Sequence, residues 1–409
     1  MTSAKPKSSP RESWLNRNVV GMGVTSLLSD ASHEMATAVL PGFLAVLGLS
    51  PAVLGVIEGV ADSTSSFVKL GSGWMSDRLG HRKPVTVGGY FLTGISQSLF
   101  SLATGLPLLL VGRTVGWFGR GVRGPLRDAM LADSVPPSAR GKAFGFHRAG
   151  DTVGAIIGPL AGVWLLTYLH PRTGDPSEPF RIIFLLTLIP GIGSGVAFAA
   201  LVREKRGAPS QIKLWTTLRA LPRPFWRFLL GVGIFGMGDF ARSLMILAAA
   251  QLLVPSYGLK RAAEIAGLLY VGYNVFYAAL TYPVGALSDR LGRRGLLSIG
   301  YGAGALASLG LLAAFRWKLD FVVYLLALFA LSGFSMAAVD ALEGAATADF
   351  IGTEIRGTAY GVLGTVNGAG DLAASVVVGA LWTAVSPASA FAYAAILMAF
   401  GGIVMYRVR

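Results

Sequence analysis

Cysteine is absent from the whole chain of 409 residues, and charged side chains make up only 14% of it. The first absence excludes disulfides, thiolate metal sites and a cysteine nucleophile, and it removes thiols as a guide to redox compartment. The second excludes an ordinary soluble domain, in which about a quarter of residues are charged. Acid is the scarcer sign, with 21 Asp and Glu against 35 Lys and Arg. Hydrolytic signatures are missing too: there is no His-Glu-x-x-His, no nucleophile elbow and no pair of intramembrane aspartates at catalytic spacing. His33-Glu34 alone does not make such a site. The chain therefore reads as a protein with no enzymatic chemistry, no cofactor and no metal.

What is present in excess is apolar: 53% hydrophobic residues, 54 glycines and a mean hydropathy of +0.60. These figures mark a polytopic membrane protein. A lipid core about 30 Å thick takes about 20 helical residues. The sequence divides into twelve apolar runs, near 18–46, 52–76, 85–104, 107–132, 143–169, 180–201, 227–254, 261–288, 295–314, 320–347, 357–384 and 388–406. Each is expected to be a helix, because lipid offers backbone groups no other partner. The first run is too long for a cleavable signal. The expected fold class is an all-α membrane protein with twelve transmembrane helices in two pseudo-symmetric six-helix bundles. The predicted division is a tail over 1–17, a bundle over 18–201, a linker over 202–226, a second bundle over 227–406 and an end at 407–409. In the linker, Ile212, Trp215, Leu218 and Leu221 recur every three residues. That spacing suits a short amphipathic helix on the inner leaflet or a basic tether without structure.

A net charge of +14 in a soluble protein would suggest a nucleic-acid partner. Here roughly 22 of the bases fall on one side of the runs, about 6 on the other and about 7 within them, which is the positive-inside bias. It places both termini and the linker in the cytoplasm, and the protein in the plasma membrane. Lipid, not nucleic acid, accounts for the charge.

The stretch Gly73-Trp74-Met75-Ser76-Asp77-Arg78-Leu79-Gly80-His81-Arg82-Lys83 returns as Gly285-Ala286-Leu287-Ser288-Asp289-Arg290-Leu291-Gly292-Arg293-Arg294-Gly295, 212 residues later. Matching charged turns at matching places say that two similar halves are joined head to tail. Gly73 and Gly285 let a neighbouring helix approach, and Asp77 and Asp289 can accept from a helix N-terminus or an arginine. Gly80 and Gly292 allow a tight turn, and Arg78, Arg82, Arg290 and Arg293 hold the turns on the basic side. Leu131-Ala132-Asp133 with Arg140-Gly141 is echoed by Thr347-Ala348-Asp349 with Arg356-Gly357.

At these residues the chain resembles the major facilitator superfamily, whose loop between helices 2 and 3 reads Gly-x-Leu-Ala-Asp-Arg-x-Gly-Arg-Lys. His81 departs from that pattern. The run from Gly154 to Gly162, with Gly158 and Pro159, resembles the fifth-helix signature of proton-coupled exporters of that superfamily, although Val163 replaces its last glycine. The resemblance implies the major facilitator fold, a cavity lined by helices 1, 4, 7 and 10, and antiport. The residues by themselves say only that Gly154 and Gly158 permit close packing and that Pro159 bends the helix.

Roughly seventeen charged side chains fall within the runs, where each costs at least about 2.5–3.5 kcal/mol and so calls for a partner or a function. Asp30, His33 and Glu34 share one side of helix 1, and Glu58, Asp62 and Lys69 lie nearly in line on helix 2. Arg113, Arg120, Arg123 and Arg127 form a stripe along helix 4, and His147, Arg148 and Asp151 cluster on helix 5. These faces are expected to meet inside the first bundle, where bases and acids, Asp128 among them, balance. In the second half Arg242 is expected to face Asp239, Asp340, Glu343 and Asp371. Arg127 and Glu343, equivalent in the repeat and opposite in charge, are candidates for an ion-pair gate.

The expected substrate- or proton-coupling set is Asp30, His33, Glu34, Arg113, Arg120, Asp151, Asp239, Asp340, Glu343 and Asp371. For Glu58, Lys69, Arg123, Arg148 and Arg242, mutual pairing that sets bundle geometry is the plainer use. The expected function is secondary active transport of a small solute by alternating access in a monomer, with proton-coupled export of an amphipathic or cationic compound. Uptake of an organic anion held by Arg113 and Arg120 competes with it, because the acids at Asp30 and Asp239 favour a cation and the arginine stripe favours an anion. A receptor-like or lipid-scrambling protein would share the same runs, and would move no solute under an imposed gradient.

Overall fold

A computed structural model describes residues 14–49, 51–169, 172–204 and 214–407, apart from the side chains of 41, 45, 51–56, 58, 59, 62, 63, 79, 243, 259, 260, 263 and 264. The expectations for the tail before Trp14, for Ile212, for 408–409 and for the side chains of Glu58 and Asp62 lie outside the described residues. Those residues form twelve membrane helices and no strand. In the first bundle these are α1 (Arg17–Val46), α2 (Pro51–Leu79), α3 (Lys83–Ser98), α4 (Leu106–Asp133), α5 (Arg140–Leu169) and α6 (Glu178–Leu201).

The second bundle begins after a short linker helix, Leu214–Ala220, on which Trp215 is exposed and Thr217 buried. The sequence places one continuous helix over 227–254. Instead α7 is broken: Arg223–Gly236 ends at Gly236 and Gly238, which interrupt the helix, and helix resumes at Arg242. A second turn at Gly258, where φ is 72°, separates α7 from α8 (Ile265–Leu291). Then follow α9 (Arg293–Trp317), α10 (Val322–Phe350), α11 (Arg356–Ala384) and α12 (Pro387–Arg407).

Seven of these helices are apolar and long enough to span a membrane on composition alone. The remainder, α1–α4 and α7, either carry charge and small polar residues at their centres or are short or broken. α3, for example, runs for only 16 residues before tightening into a 3₁₀ turn. Such helices are held in the membrane by their neighbours and not by hydropathy.

Small residues set those contacts. A Cβ on Gly154 or Gly158 would run into the carbonyls of Leu27 and Ala31, so α5 lies against α1 backbone to backbone. Gly158→Leu should therefore destabilise the first bundle by about 1–3 kcal/mol, read as a lower Tm in detergent.

The apolar core shows how the bundles meet. On the face carrying the two charged turns, one continuous cluster joins both halves, from Val19 and Met130 through Phe144 to Leu342 and Tyr360. Toward the opposite face the cores are separate, one around Phe43, Phe100 and Phe184, the other around Phe240, Phe329 and Phe391. The structure is thus closed at the turn face. Across that closure α2 packs on α11, and α5 on α8.

Candidate functional site

Close packing of α1 on α5 turns the centre of α1 toward α4. There Arg120 Nη2 donates to Asp30 Oδ1 at 2.7 Å, and 21% and 17% of the two side chains remain open to solvent. Trp117 lies between two guanidinium groups, Arg113 at 6.0 Å and Arg120 at 5.4 Å from the ring centre. His33 meets the indole edge-on at 5.6 Å. It is buried, and its Nδ1 has no hydrogen-bond partner among the described residues. Arg113 Nη1 donates to Thr37 Oγ1, and Glu34 sits half-buried one residue beyond His33. Arg123 is deeper: it donates to Ser29 Oγ at 2.9 Å, and its guanidinium lies 3.9 Å from the Tyr90 ring centre. On α5, Asp151 lies 3.3 Å from Arg148 Nη1 and 3.7 Å from His147 Nε2.

In the second bundle the break in α7 presents Asp239 and Arg242 to each other as a bidentate pair, at 2.7 and 3.2 Å. Arg242 Nε also donates to Tyr273 Oη, within a column formed by Tyr270, Tyr273 and Tyr277. Tyr277 Oη donates to Asp340. Glu343, buried, accepts from Tyr301 Oη at 2.6 Å and Asn367 Nδ2 at 2.7 Å. Asp371 is exposed on α11. A hollow beside Asp239, lined by Ser308, Ser335 and Met336, has room for about one water molecule.

Two reciprocal latches close the turn face. Asp77 accepts from Gly357 N at 3.0 Å and from both Thr358 N and Oγ1 at 2.7 Å, at the start of α11. Asp289 accepts from Gly141 N at 2.9 Å and Lys142 N at 3.0 Å, at the start of α5. Each carboxylate thus binds the N-terminus of a helix in the other bundle, where unpaired N–H groups and the helix dipole favour an anion. The loop acids cross over too: Asp133 takes Arg82 at 2.7 Å and Arg356 of the second half, while Asp349 takes Arg293 and Arg140 of the first. Gly73 and Gly285 allow this approach, since a Cβ on either would overlap the carbonyl of Gly357 or Gly141. Gly80 and Gly292, at φ 64° and 94°, make the turns. A cleft of about 400 Å³ lined by Ser288, Arg293, Arg294 and Asp349 adjoins the second latch, away from the interior acids.

Several expectations need correction. Arg127 does not meet Glu343: it pairs with Asp128 at 2.9 Å, and Glu343 turns into its own bundle toward Tyr301. Arg242 takes Asp239 alone among the four acids expected of it, because Tyr277 holds Asp340 and Asn367 helps hold Glu343. Lys69 lies along α11, against Gly361 and Gly364, and not inside the first bundle. Arg78 and Arg290 are exposed and outside both latches; Arg82 and Arg293 do the pairing. At His81, which aligns with Arg293, the first half simply uses the next residue. Sequence reading missed Trp117, although it stands at helical spacing between Arg113 and Arg120. It also missed Tyr273, Tyr277, Tyr301, Asn367 and Thr358, neutral side chains that no charge pattern marks.

Twelve helices in two bundles, with interior ion pairs and a closure built from repeated turns, define a membrane transporter. The profile of the Major Facilitator Superfamily matches residues 22–262 and 236–409, and the chain belongs to that family. Its members are transporters of small molecules and not enzymes. An MFS-type transporter of Methanocaldococcus jannaschii is 32% identical over 98% of this chain and 96% of its own length. A multidrug resistance protein B homolog of Mycobacterium tuberculosis is 27% identical over 56% of this chain and 42% of its own length. The fold is that of the E. coli fucose:proton symporter FucP, with a TM-score of 0.74 at 16% identity over 96% of this chain and 98% of the other.

Proposed function

We propose that this protein is a monomeric, proton-coupled exporter of a small amphipathic solute, working by alternating access in the plasma membrane with the turn face and both termini in the cytoplasm. The observation that carries the coupling is the Asp30–Arg120 pair, central in the first bundle and still reached by solvent. A proton on Asp30 removes the attraction and frees Arg120, a change of charge that the two conformers feel differently. Asp239 with Arg242, the interior acids Glu34, Asp151, Asp340 and Glu343, and the exposed Asp371 extend the same chemistry through both bundles. Export is supported by likeness to the mycobacterial multidrug resistance homolog and by the α5 glycines with Pro159.

One observation favours a second reading, uptake of an organic anion. Both acids that argued for a cation, Asp30 and Asp239, already hold an arginine. In proteoliposomes under an imposed pH gradient, Asp30→Asn should move solute down its own gradient and lose the response to pH. Transport by Asp30→Asn that still tracks the pH gradient refutes the coupling. Loss of affinity in Arg120→Gln, with Asp30→Asn still coupled, would favour the anion.

A further inference from the structure

The N-terminal segment ahead of α1 makes contacts that the transport reading does not use. Trp14 stacks on Tyr282 of α8, with ring centres 5.7 Å apart and planes at 30°, and meets Phe146 of α5 edge-on at 6.3 Å. Those two residues belong to different bundles. They flank the point where a Cβ on Gly145 would touch the backbone of Thr281 and Tyr282, the tight crossing of α5 and α8.

The segment is anchored to the first bundle and to the start of the linker. Asn16 accepts from Asn18 N and Val19 N at the start of α1, and its amide donates to Ser134 O beyond α4 at 2.7 Å. Asn18 donates to Arg203 O at 2.8 Å and accepts from Arg203 N at 2.7 Å, tying in the first residues of the linker. The next residue, Glu204, accepts from the backbone of Arg82 and Lys83 in the first charged turn. A rigidly held base thus projects one indole across the closure.

We propose that Trp14 is a strap that holds the turn face shut, adding to the latches an aromatic contact that must break when α5 and α8 part. Its anchorage through Arg203 and Glu204 ties the strap to the turn that carries Asp77, so loosening it loosens both latches. This does not depend on the solute or on protons, only on the two bundles moving apart.

The absence of cysteine makes the test clean. In detergent-solubilised protein, Ser288→Cys reports the latch near Trp14 and Ser76→Cys the distant one; both serines are buried. An aromatic pair of this kind corresponds to a population ratio of about two- to tenfold. Trp14→Ala should therefore raise maleimide labelling at both reporters by about that factor. Tyr282→Ala should do the same, the double variant should add nothing further, and Trp14→Phe should stay near the parent. Labelling that is unchanged in Trp14→Ala and Tyr282→Ala, or that rises only at Ser288→Cys, overturns the strap. If Trp14→Ala does not fold, Tyr282→Ala read at Ser76→Cys decides alone.

Discussion

Replacing Asp77 by alanine should open the turn face, moving the ratio of closed to open protein by about a hundredfold or more. The carboxylate is buried and accepts three hydrogen bonds from the start of α11 besides its pairing with Arg82 at 3.1 Å. Hydrogen bonds to a charged group contribute about 1.5–3 kcal/mol each, and every 1.4 kcal/mol is about tenfold. The loss of these three hydrogen bonds falls on the closed conformer alone, because Gly357 and Thr358 belong to the other bundle, whereas Arg82 lies in the same bundle as Asp77 and its pairing does not separate the conformers. Asp77→Asn keeps an acceptor oxygen without the charge and should fall between the two. Asp77 touches none of the interior acids, so solute affinity of whichever conformer binds should be unchanged. A loss of affinity with no change in the conformer ratio would place Asp77 in the binding site instead.

Enlarging Gly285 should have an effect of the same order by a different route. Its missing Cβ would fall on the carbonyl of Gly141, so Gly285→Leu pushes α8 off α5. Overpacked cores usually relax by side-chain rotation and lose about 1–3 kcal/mol; here the obstacle is backbone and cannot rotate away. We expect Gly285→Leu to fold with a near-parental Tm, to remain open at the turn face and to transport no solute, while Gly285→Ala retains part of the activity. Parental transport by Gly285→Leu would mean that closure there is not part of the cycle.

Both residues were visible in the sequence because the repeat displays them twice. A turn that recurs with its glycines and aspartate intact must satisfy the same contact in each half, and the structure shows that contact exchanged between halves. The helices were legible for the same reason that lipid demands them, except where α7 breaks: Gly236 and Gly238 reduce hydropathy too little to interrupt an apolar run. The interior charges were legible as a set but not as pairs. Helical spacing orders residues on one helix, yet the partner of Arg127 or Arg242 depends on how far each helix is rotated in its bundle. That rotation is set by glycine contacts such as Gly154 on Leu27, scattered among 54 glycines. Trp14 could not be found at all, since nothing in a single tryptophan before the first helix says that it reaches Tyr282.

The central claim is that the turn face and the opposite face open in alternation, with the reciprocal latches holding one end of that exchange. Pulsed electron paramagnetic resonance on the cysteine-free chain tests it most directly, with one spin-label pair at the exposed positions His81 and Glu354 on the turn face and another at Val46 and Val385 on the opposite face. The account predicts that Asp77→Ala lengthens the first distance and shortens the second within the same sample. Two distances that lengthen together, or a first that changes while the second stays fixed, would contradict it.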